Sequence, residues 1–466
     1  QLRRLDERVK IEPMEEFSLA ETSPEAAFHL LGQKMRAHTE DAPLEPLWQD
    51  IYSFFDSSST WQGRLSLMKR SIGKPGVPER LSPKTVKALY GKNILSSVSR
   101  LERFAGCPFA FFAEYALGAQ ERRLYQLHTP DLGSLFHEVL ELFSQQLAED
   151  GLRWTDLTQE QTEERICDAV DHAAPHLGDR ILMESAANQY LIRRLKRISM
   201  RAAWTLVRHL QQGDFAPAAY EVGFGYQEAL PPIVLQLADG GSLILNGKID
   251  RVDLLDAAGN RYVKIIDYKS GTKAFSFQEI YYGLQLQLLI YLDAYLKYYK
   301  KTGAALKPGG VFYFRIADPT LALEKELSAA EIEEALYEHL RMSGLILQDD
   351  ALMQGLDHEL AATGTSAVVP LGFTKSGAPS ATSNLATEEQ YEAILGFVSA
   401  RAKKIGESMK AGVIAPMPFR KGTQTPCDYC KFRSVCRHDY EEKPKWRTLK
   451  RMNKKEFWET ILPKGE

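Results

Sequence analysis

Apolar residues recur at the spacing of amphipathic helices through the first half of the chain. Trp48, Ile51 and Phe55 show this spacing within residues 1–80, and Ser82-Pro83 is a typical helix start. Two helical segments are expected to meet at Cys107, where Gly106 and Pro108 interrupt the pattern. We predict helices at 1–80, 97–117, 132–149, within 160–212, at 277–299 and at 388–410.

From residue 220 the pattern changes to short runs rich in Val, Ile, Tyr and Phe, which are typical of strands. The predicted strands are Tyr220–Tyr226, Leu243–Leu255, Tyr262–Tyr268 and Gly310–Ile316. Turn-forming residues at 256–260 indicate that the second and third strands form a hairpin. Residues 357–386, rich in Gly, Ser, Thr and Ala, are expected to form a mobile loop. The predicted fold class is therefore α/β, with a central mixed sheet flanked by helices.

Length and composition narrow the class of protein. At roughly 150 residues per domain, 466 residues correspond to two or three domains. A hydrophobic content of 44% and a net charge of −3 are typical of a globular protein and exclude a uniformly basic nucleic-acid coat. No apolar run is long enough to span a membrane. The odd number of cysteines, five, argues against a disulfide framework and for a reducing, cytoplasmic location. Because the chain begins at Gln1, we expect it to be an internal piece of a longer polypeptide.

The sharpest local motif is an apolar strand that ends in Asp267 and Lys269. Residues two apart on a strand share a face, so these side chains project together. Asp250 lies on the partner strand of the hairpin, within reach of the same point. Carboxylates on a rigid sheet suit Mg²⁺ or Mn²⁺, and phosphodiester hydrolysis is the corresponding reaction class. The alternative is structural: Asp267 pairs with Lys269, and Asp250 pairs with Arg251, at the surface.

Other polar residues accompany this motif in a definite order. His137 and Glu141 lie one helical turn apart in the sequence GSLFHEVLE, and Glu221 opens the first strand. Gln287 and Tyr291 also lie one turn apart, in the helix that follows Lys269. This order resembles the RecB-like branch of the PD-(D/E)xK nuclease superfamily, whose pattern is GxxxHxxLE, an acid, GxxD, DxK and QxxxY.

The resemblance implies a role for each matching residue. His137, Asp250, Asp267 and the carbonyl of Tyr268 would bind the metal ion. Lys269 would position the attacking water and stabilise charge on the phosphorane. Glu221 would bind a second ion or a water on the first one, and Gln287 and Tyr291 would contact DNA or support the site. Asp253 has no assigned role and is expected in a turn or a salt bridge.

A second constellation is the C-x₂-C-x₅-C sequence formed by Cys427, Cys430 and Cys436. Three thiolates need a fourth ligand, and the residues alone leave two candidates: His438, which would complete a zinc site, and Cys107. RecB-like nucleases that carry an iron–sulfur cluster pair one upstream Cys-Pro with three later cysteines. That resemblance implies a [4Fe–4S] cluster on Cys107 and the three later cysteines, which would tie the two ends of the nuclease domain together. Cys167 is expected to be structural.

Over residues 81–439 the chain resembles the B subunits of AddAB-type helicase–nucleases. This implies a helical end of a helicase-like region at 1–80, a nuclease domain at 81–440 and a basic tail at 441–466. It also implies a heterodimer with an AddA-like subunit and resection of DNA double-strand breaks by cleavage of the 5′-terminated strand. No GxxxxGK[ST] sequence occurs in the chain, so the ATP-binding site would lie elsewhere in the complex. Alternatives are a catalytically silent clamp for DNA ends or for a partner subunit, and a stand-alone exonuclease of the CRISPR-associated kind.

Two basic segments are candidates for DNA contact. One is a helix with Trp204 and the cations Arg193, Arg194, Lys196, Arg197, Arg201 and Arg208. The other is the run from Lys443 to Lys455, in which Trp446 could stack on a base. A solvated charged face explains each run equally well.

Overall fold

A computed structural model describes residues 23–37, 44–72, 79–121, 129–176, 186–321, 326–436, 438 and 445–462. By packing, the chain divides into two compact units, Gln1–Pro78 and Glu79–Glu466. In the first unit, the helices α1 (Pro24–Ala37), α2 (Pro46–Ser57) and α3 (Gln62–Ile72) pack around a small core that includes Trp48, Phe55 and Leu65. The apolar spacing seen in the sequence therefore marks the buried side of these helices.

The second unit places helices around a single large sheet. Its helices before the sheet's central strands are α4 (Pro83–Tyr90), α5 (Val98–Gly106), α6 (Pro108–Phe111), α7 (Thr129–Glu149), α8 (Gln159–Ala173) and α9 (Ala186–Gln211). Those that follow are α10 (Phe277–Tyr281), α11 (Gln287–Lys301), α12 (Ala329–His339), α13 (Asp350–Leu356), α14 (Leu360–Thr363), α15 (Glu388–Lys410), α16 (Arg433–Cys436) and α17 (Lys454–Ile461). Among the residues described, no helix is long and apolar enough to cross a lipid bilayer.

The sheet has eight strands of mixed direction. They are β1 (Ile94–Ser97), β2 (Ala216–Phe224), β3 (Ile233–Gln236), β4 (Ser242–Ala257), β5 (Asn260–Lys269), β6 (Leu306–Arg315), β7 (Ser343–Leu347) and β8 (Leu385–Ala386). The main order is β1-β4-β5-β6-β7-β8, and both β2 and β3 pair with β4. A separate pair is formed by β9 (Phe419–Arg420) and β10 (Arg447–Thr448). The predicted α/β class with a mixed central sheet is confirmed.

The long strand β4 organises the sheet because its two halves have different partners. Its first half pairs with β1 in parallel and with β3 in antiparallel orientation. Its second half pairs with β2 and β5, both antiparallel, and the β4–β5 hairpin closes at Ala257–Asn260 as predicted. β5 then runs parallel to β6. The core lies on both faces of these strands, where Val252, Ile265 and Phe312 have no exposed surface.

Three details differ from the sequence-based predictions. The helix predicted at 277–299 is two helices, because the chain turns at Gly283, whose φ of +78° is costly for other residues. Strands β1, β3, β7 and β8 were not predicted, since runs of two to five residues carry little periodicity. The segment 357–386 is irregular but packed, with Val369 fully buried, and is therefore not simply a mobile loop.

Candidate active site

The site lies where β4 and β5 separate. Pairing between the two strands ends at Arg251 and Ile266, although β5 continues to Lys269. The carboxylate of Asp250 fills the gap, and its Oδ2 accepts a hydrogen bond from the backbone N–H of Tyr268 at 2.7 Å. Burial, and then the neighbouring charge of Asp267, raise the pKa of Asp250 well above its usual value. Asp250 therefore carries its negative charge less readily here than a solvated carboxylate does, and a cation at this point would favour the charged form.

His137 reaches the same point from α7. Its Nε2 lies 3.1 Å from the carbonyl oxygen of Tyr268, and its Nδ1 lies 3.4 Å from Oδ2 of Asp250. The tautomer that donates Nε2–H to the carbonyl leaves the Nδ1 lone pair facing the acids. Burial, and then the charge of Lys269, lower the pKa of His137. The imidazole is thus neutral at neutral pH, which is the form that binds metal ions.

Glu221 lies close to His137 and Asp250 because of an unusual backbone conformation. It lies in β2 between the Tyr220–Arg251 and Val222–Ile249 pairs, yet its φ is +50°. A non-glycine residue in this region costs on the order of 1–3 kcal/mol and is often found at functional sites. The conformation brings Oε1 to 4.0 Å from Nδ1 of His137.

These three side chains form the one group of at least three potential metal ligands that the described residues bring together. The ligand atoms of His137, Glu221 and Asp250 all lie within 4.8 Å of one another. One imidazole nitrogen and two carboxylates suit Mn²⁺ and also Mg²⁺, which prefers oxygen. The donor set therefore fits the divalent cation that the sequence predicts.

Asp267 lies beside this group, on the same side of the hairpin. It is 3% exposed, and its Oδ1 accepts a hydrogen bond from Nε2 of Gln287 at 2.7 Å, while its Oδ2 forms an ion pair with Lys269. The two residues of the predicted DxK motif therefore do project together. The carboxylate of Asp267 is not among the ligand atoms that lie within 4.8 Å of one another. Its role as a metal ligand stays a prediction.

Tyr291 is 5% exposed and lies behind β4. A Cβ atom at Gly247 would come within 2.3 Å of the Tyr291 hydroxyl oxygen, so the two residues require each other. The hydroxyl also makes a hydrogen bond with the backbone of Lys248. Two roles were predicted for Tyr291: contact with DNA and support of the site. Its buried position behind β4 favours support of the site and leaves little surface for contact with DNA.

The opposite face of the same two strands holds a second charged cluster. Asp253 is fully buried and forms a bidentate pair with Arg251 at 2.6 and 2.9 Å and a salt bridge with Lys264 at 3.1 Å. The hydroxyl of Tyr268 also hydrogen-bonds Arg251. Burial alone would raise the pKa of Asp253, but the charges of Arg251 and Lys264 lower it. The predicted salt-bridge role of Asp253 is confirmed.

Comparison with known proteins shows the family to which the chain belongs. The family described as "PD-(D/E)XK nuclease superfamily" matches residues 96–437, which include every residue of the site. The chain belongs to the PD-(D/E)XK nuclease superfamily. The family described as "ATP-dependent helicase/deoxyribonuclease AddB fifth domain" matches residues 15–71, upstream of the nuclease region.

Several curated proteins resemble this chain along nearly all of its length. Each is named as the B subunit of an ATP-dependent helicase/deoxyribonuclease. The protein of Alkaliphilus oremlandii is 39% identical over 447 residues, which are 96% of this chain and 39% of the relative. That of Clostridium botulinum is 35% identical over 461 residues, 98% of this chain and 40% of the relative. The predicted resemblance to AddB subunits is confirmed, and the chain spans about two fifths of the length of these relatives.

Lys248 is a residue of the candidate site to which the sequence alone assigned no role. Its Nζ lies 2.8 Å from Oε2 of Glu221, and its side chain is 55% exposed. It lines a cleft of about 390 Å³ together with His137, Glu138, Glu141 and Glu221. The signal was present in the sequence, because Lys248 precedes Asp250 by two residues and therefore shares its strand face.

The four predicted cluster ligands Cys107, Cys427, Cys430 and Cys436 line a single small cavity, as does His438. Burial raises the pKa of the Cys107 thiol and raises that of Cys436 to about 12. Cys107 lies between α5 and α6, far in sequence from the others, so the fold brings the two ends of the nuclease region together here. Cys167 lies apart, with its thiol 3.6 Å from the sulfur of Met200.

The predicted DNA-contact segments are largely engaged in contacts within the chain. On α9, Lys196 pairs with Asp171, Arg197 and Arg201 with Asp318, and Arg208 with Glu334. Arg193 and Arg194 are exposed. Trp446 packs against His438 at a ring distance of 4.8 Å, with Arg420 over its other side. Lys443 lies outside the described residues. Four of the six cations on α9 are therefore paired with acids of the same chain, while DNA contact by either segment stays a prediction.

Proposed function

We propose that this chain is a metal-dependent deoxyribonuclease that hydrolyses phosphodiester bonds. The observation that carries the proposal is the convergence of His137, Glu221 and Asp250 within 4.8 Å, beside the Asp267–Lys269 pair. Membership of the PD-(D/E)XK nuclease superfamily supports the same activity. The word "deoxyribonuclease" in the relatives' name supports DNA as the substrate.

The cation would be Mg²⁺ or Mn²⁺, held by His137, Asp250, Asp267 and the carbonyl of Tyr268, with Glu221 beside them. A divalent cation there would stabilise negative charge that develops on the phosphate oxygens. Lys269, 25% exposed, adds a positive charge beside Asp267. It would orient the attacking water and stabilise the pentavalent transition state. Gln287 keeps Asp267 in place through its amide hydrogen bond.

We further propose that the chain works within an ATP-dependent helicase–nuclease. The relatives' name and the matched AddB fifth domain support its assignment as the B component of such a complex. On this basis residues 1–80 would end a helicase-like region, residues 81–440 would form the nuclease domain and residues 441–466 a basic tail. The partner would be an AddA-like subunit, and the substrate a DNA double-strand end, of which the 5′-terminated strand is cut in the cytoplasm before recombinational repair.

We propose that the cysteine site holds a [4Fe–4S] cluster with a structural role. Cys107, Cys427, Cys430 and Cys436 all line one small cavity, so four thiolates are available there without a histidine. Four cysteine thiolates are the ligand set of a [4Fe–4S] cluster, which supports iron over a zinc site that would use His438.

The test of the cluster is its metal content. In the complete protein purified without oxygen, Cys107→Ala should remove the iron and the brown colour, whereas His438→Ala should retain both. Cys167→Ala is the matched control, because its thiol lies outside the cavity. Zinc in the wild-type protein, lost in His438→Ala, would contradict the iron–sulfur assignment.

The nuclease test compares Lys269→Ala with Lys307→Ala. Lys307 forms an exposed pair with Glu388 and is not part of the site. With linear DNA and Mg²⁺, Lys269→Ala should lower the cleavage rate by about 10³-fold, because several kcal/mol of transition-state stabilisation are lost. Lys307→Ala should cleave like the wild type. A wild-type protein that binds DNA ends without cutting them would instead support the catalytically silent clamp.

A further inference from the structure

The start of α11 is unusual because the helix has no cap of its own. It begins at Gln287 after the turn at Gly283, and the preceding residue, Leu286, has no side-chain oxygen to accept a hydrogen bond. The first N–H groups of a helix need such acceptors. Gln285 only fixes the loop before the helix, with hydrogen bonds to Ala274 and Ser276. The missing acceptor must come from elsewhere in the fold.

Glu102 supplies it from α5. Its Oε1 accepts hydrogen bonds from the backbone N–H groups of Leu286 at 2.7 Å and Gln287 at 3.0 Å. Its Oε2 pairs with Nζ of Lys273 at 3.2 Å, and the side chain is only 13% exposed. A carboxylate at this end of a helix also interacts favourably with the helix dipole. One side chain therefore fixes the backbone of Gln287 from a distant helix.

The backbone of Gln287 carries the amide that holds Asp267. Its Nε2 donates to Oδ1 of Asp267 at 2.7 Å, and the other oxygen of Asp267 faces Lys269. A displacement of the first turn of α11 would move this amide and with it the carboxylate. Active sites require such groups to be held within about 0.5 Å of the productive geometry.

We propose that Glu102 is a positioning residue of the nuclease site, which acts through the first turn of α11 and Gln287 on Asp267. The inference rests on the proposed metal-dependent nuclease function. Glu102 touches neither the metal ligands nor the cleft, so its contribution is indirect. It lies on α5, and Cys107 directly follows the end of that helix, so α5 connects the cysteine site to the acidic site.

The experiment measures Glu102→Ala and Glu102→Gln in the complete protein. In Glu102→Ala, kcat for linear DNA should fall about tenfold with an unchanged KM, and Mn²⁺ binding, measured by electron paramagnetic resonance, should weaken severalfold. Glu102→Gln should recover most of both, because its amide oxygen can still accept the two N–H groups. The matched control is Ser328→Ala, which removes the cap of α12 away from the site and should change neither quantity.

A double-mutant cycle separates positioning from general stability. In a Gln287→Ala background, Glu102→Ala should cause no further loss of kcat or Mn²⁺ affinity, since the link to Asp267 is already broken. Equal effects in both backgrounds, or a Glu102→Ala protein that matches Ser328→Ala, would overturn the positioning role while the nuclease function stands. A wild-type protein that neither cleaves DNA nor binds Mn²⁺ would overturn both.

Discussion

Two buried aspartates three residues apart on β4 have opposite surroundings. Asp253 faces Arg251 and Lys264 on one side of the sheet, and their charges lower its pKa despite complete burial. Asp250 faces Asp267 and a histidine with a lowered pKa on the other side, and its own pKa is raised. Burial alone therefore does not mark a functional acid. Asp253 has two cationic partners within the chain, whereas the charge of Asp250 is not neutralised by such a cluster. Asp250 is therefore the aspartate that is available to bind a cation.

Replacing Asp250 should have the largest effect on DNA cleavage. We expect Asp250→Asn to reduce Mg²⁺-dependent cleavage by about 10³-fold or more, because a metal ligand is lost. The same change should raise the melting temperature of the metal-free protein by about 2 °C or more at pH 7–8. With a raised pKa, Asp250 contributes stability at low pH that is lost as the pH rises through the folded-state pKa, and asparagine avoids this loss. A lower melting temperature in metal-free buffer would contradict the assigned charge imbalance.

An aspartate-to-asparagine change at Asp253 should lower the free energy of unfolding and leave catalysis in the folded protein intact. Asp253→Asn leaves Arg251 and Lys264 buried with little opposing charge, so unfolding free energy should fall by about 3–5 kcal/mol. Denaturant unfolding at pH 7 measures this, and the fraction that remains folded should still cleave DNA. Asp256→Asn, which disrupts an exposed pair with Arg261 in the hairpin turn, is the control and should change stability little. A mild Asp253→Asn phenotype would show that the cluster is not a structural requirement.

The pH dependence of Mn²⁺ binding should report the raised pKa of Asp250. Since the pKa of Asp250 is raised, Mn²⁺ must displace a proton below that pKa, and the apparent affinity should rise by up to about tenfold per pH unit. Above the raised pKa the affinity should become constant. His137 adds no step near its usual pKa, because burial and Lys269 lower it. Titration calorimetry in two buffers would count the proton released; release of none between pH 5 and 8 would contradict the prediction.

The smallest effect is expected at Lys248, the exposed cation of the cleft. Lys248→Ala should strengthen Mn²⁺ binding severalfold, because Nζ no longer competes for the carboxylate of Glu221. DNA binding should weaken, and the slope of log affinity against log salt should decrease by about 1 if Lys248 contacts a phosphate. Lys297→Ala, at an exposed pair on α11, serves as the control. An unchanged salt slope would place Lys248 outside the DNA path.

Motif spacing predicted the parts of the site that follow from local periodicity. Asp267 and Lys269 share a strand face, and the turn at 256–260 specifies the hairpin that brings Asp250 beside them. The left-handed conformation of Glu221 could not be predicted, because it depends on the strand opposite and no glycine marks it. Glu102 was also beyond reach, since its contact with Leu286 spans 184 positions.

The charged helix α9 shows a different limit of sequence reasoning. Its spacing places cations on more than one face, but it does not reveal what lies opposite. Asp318 and Glu334, which pair with Arg197 and Arg208, come from segments more than a hundred residues later. Only the packing of those segments on α9 shows that these arginines pair with acids of the same chain.

Side chains on β4 alternate between the two faces of the sheet, and Asp250 and Asp253 lie on opposite faces. The number of residues in β4 therefore matters as much as their identity. A single residue inserted between the β1-paired half and Asp250 would shift every later side chain to the other face. Arg251 would then project into the nuclease cleft, and Asp250 would enter the core without a partner. The Ala258–Gly259 turn, by contrast, is a loop end where an extra residue leaves both faces in register. Natural insertions and deletions in this hairpin should therefore be confined to the turn.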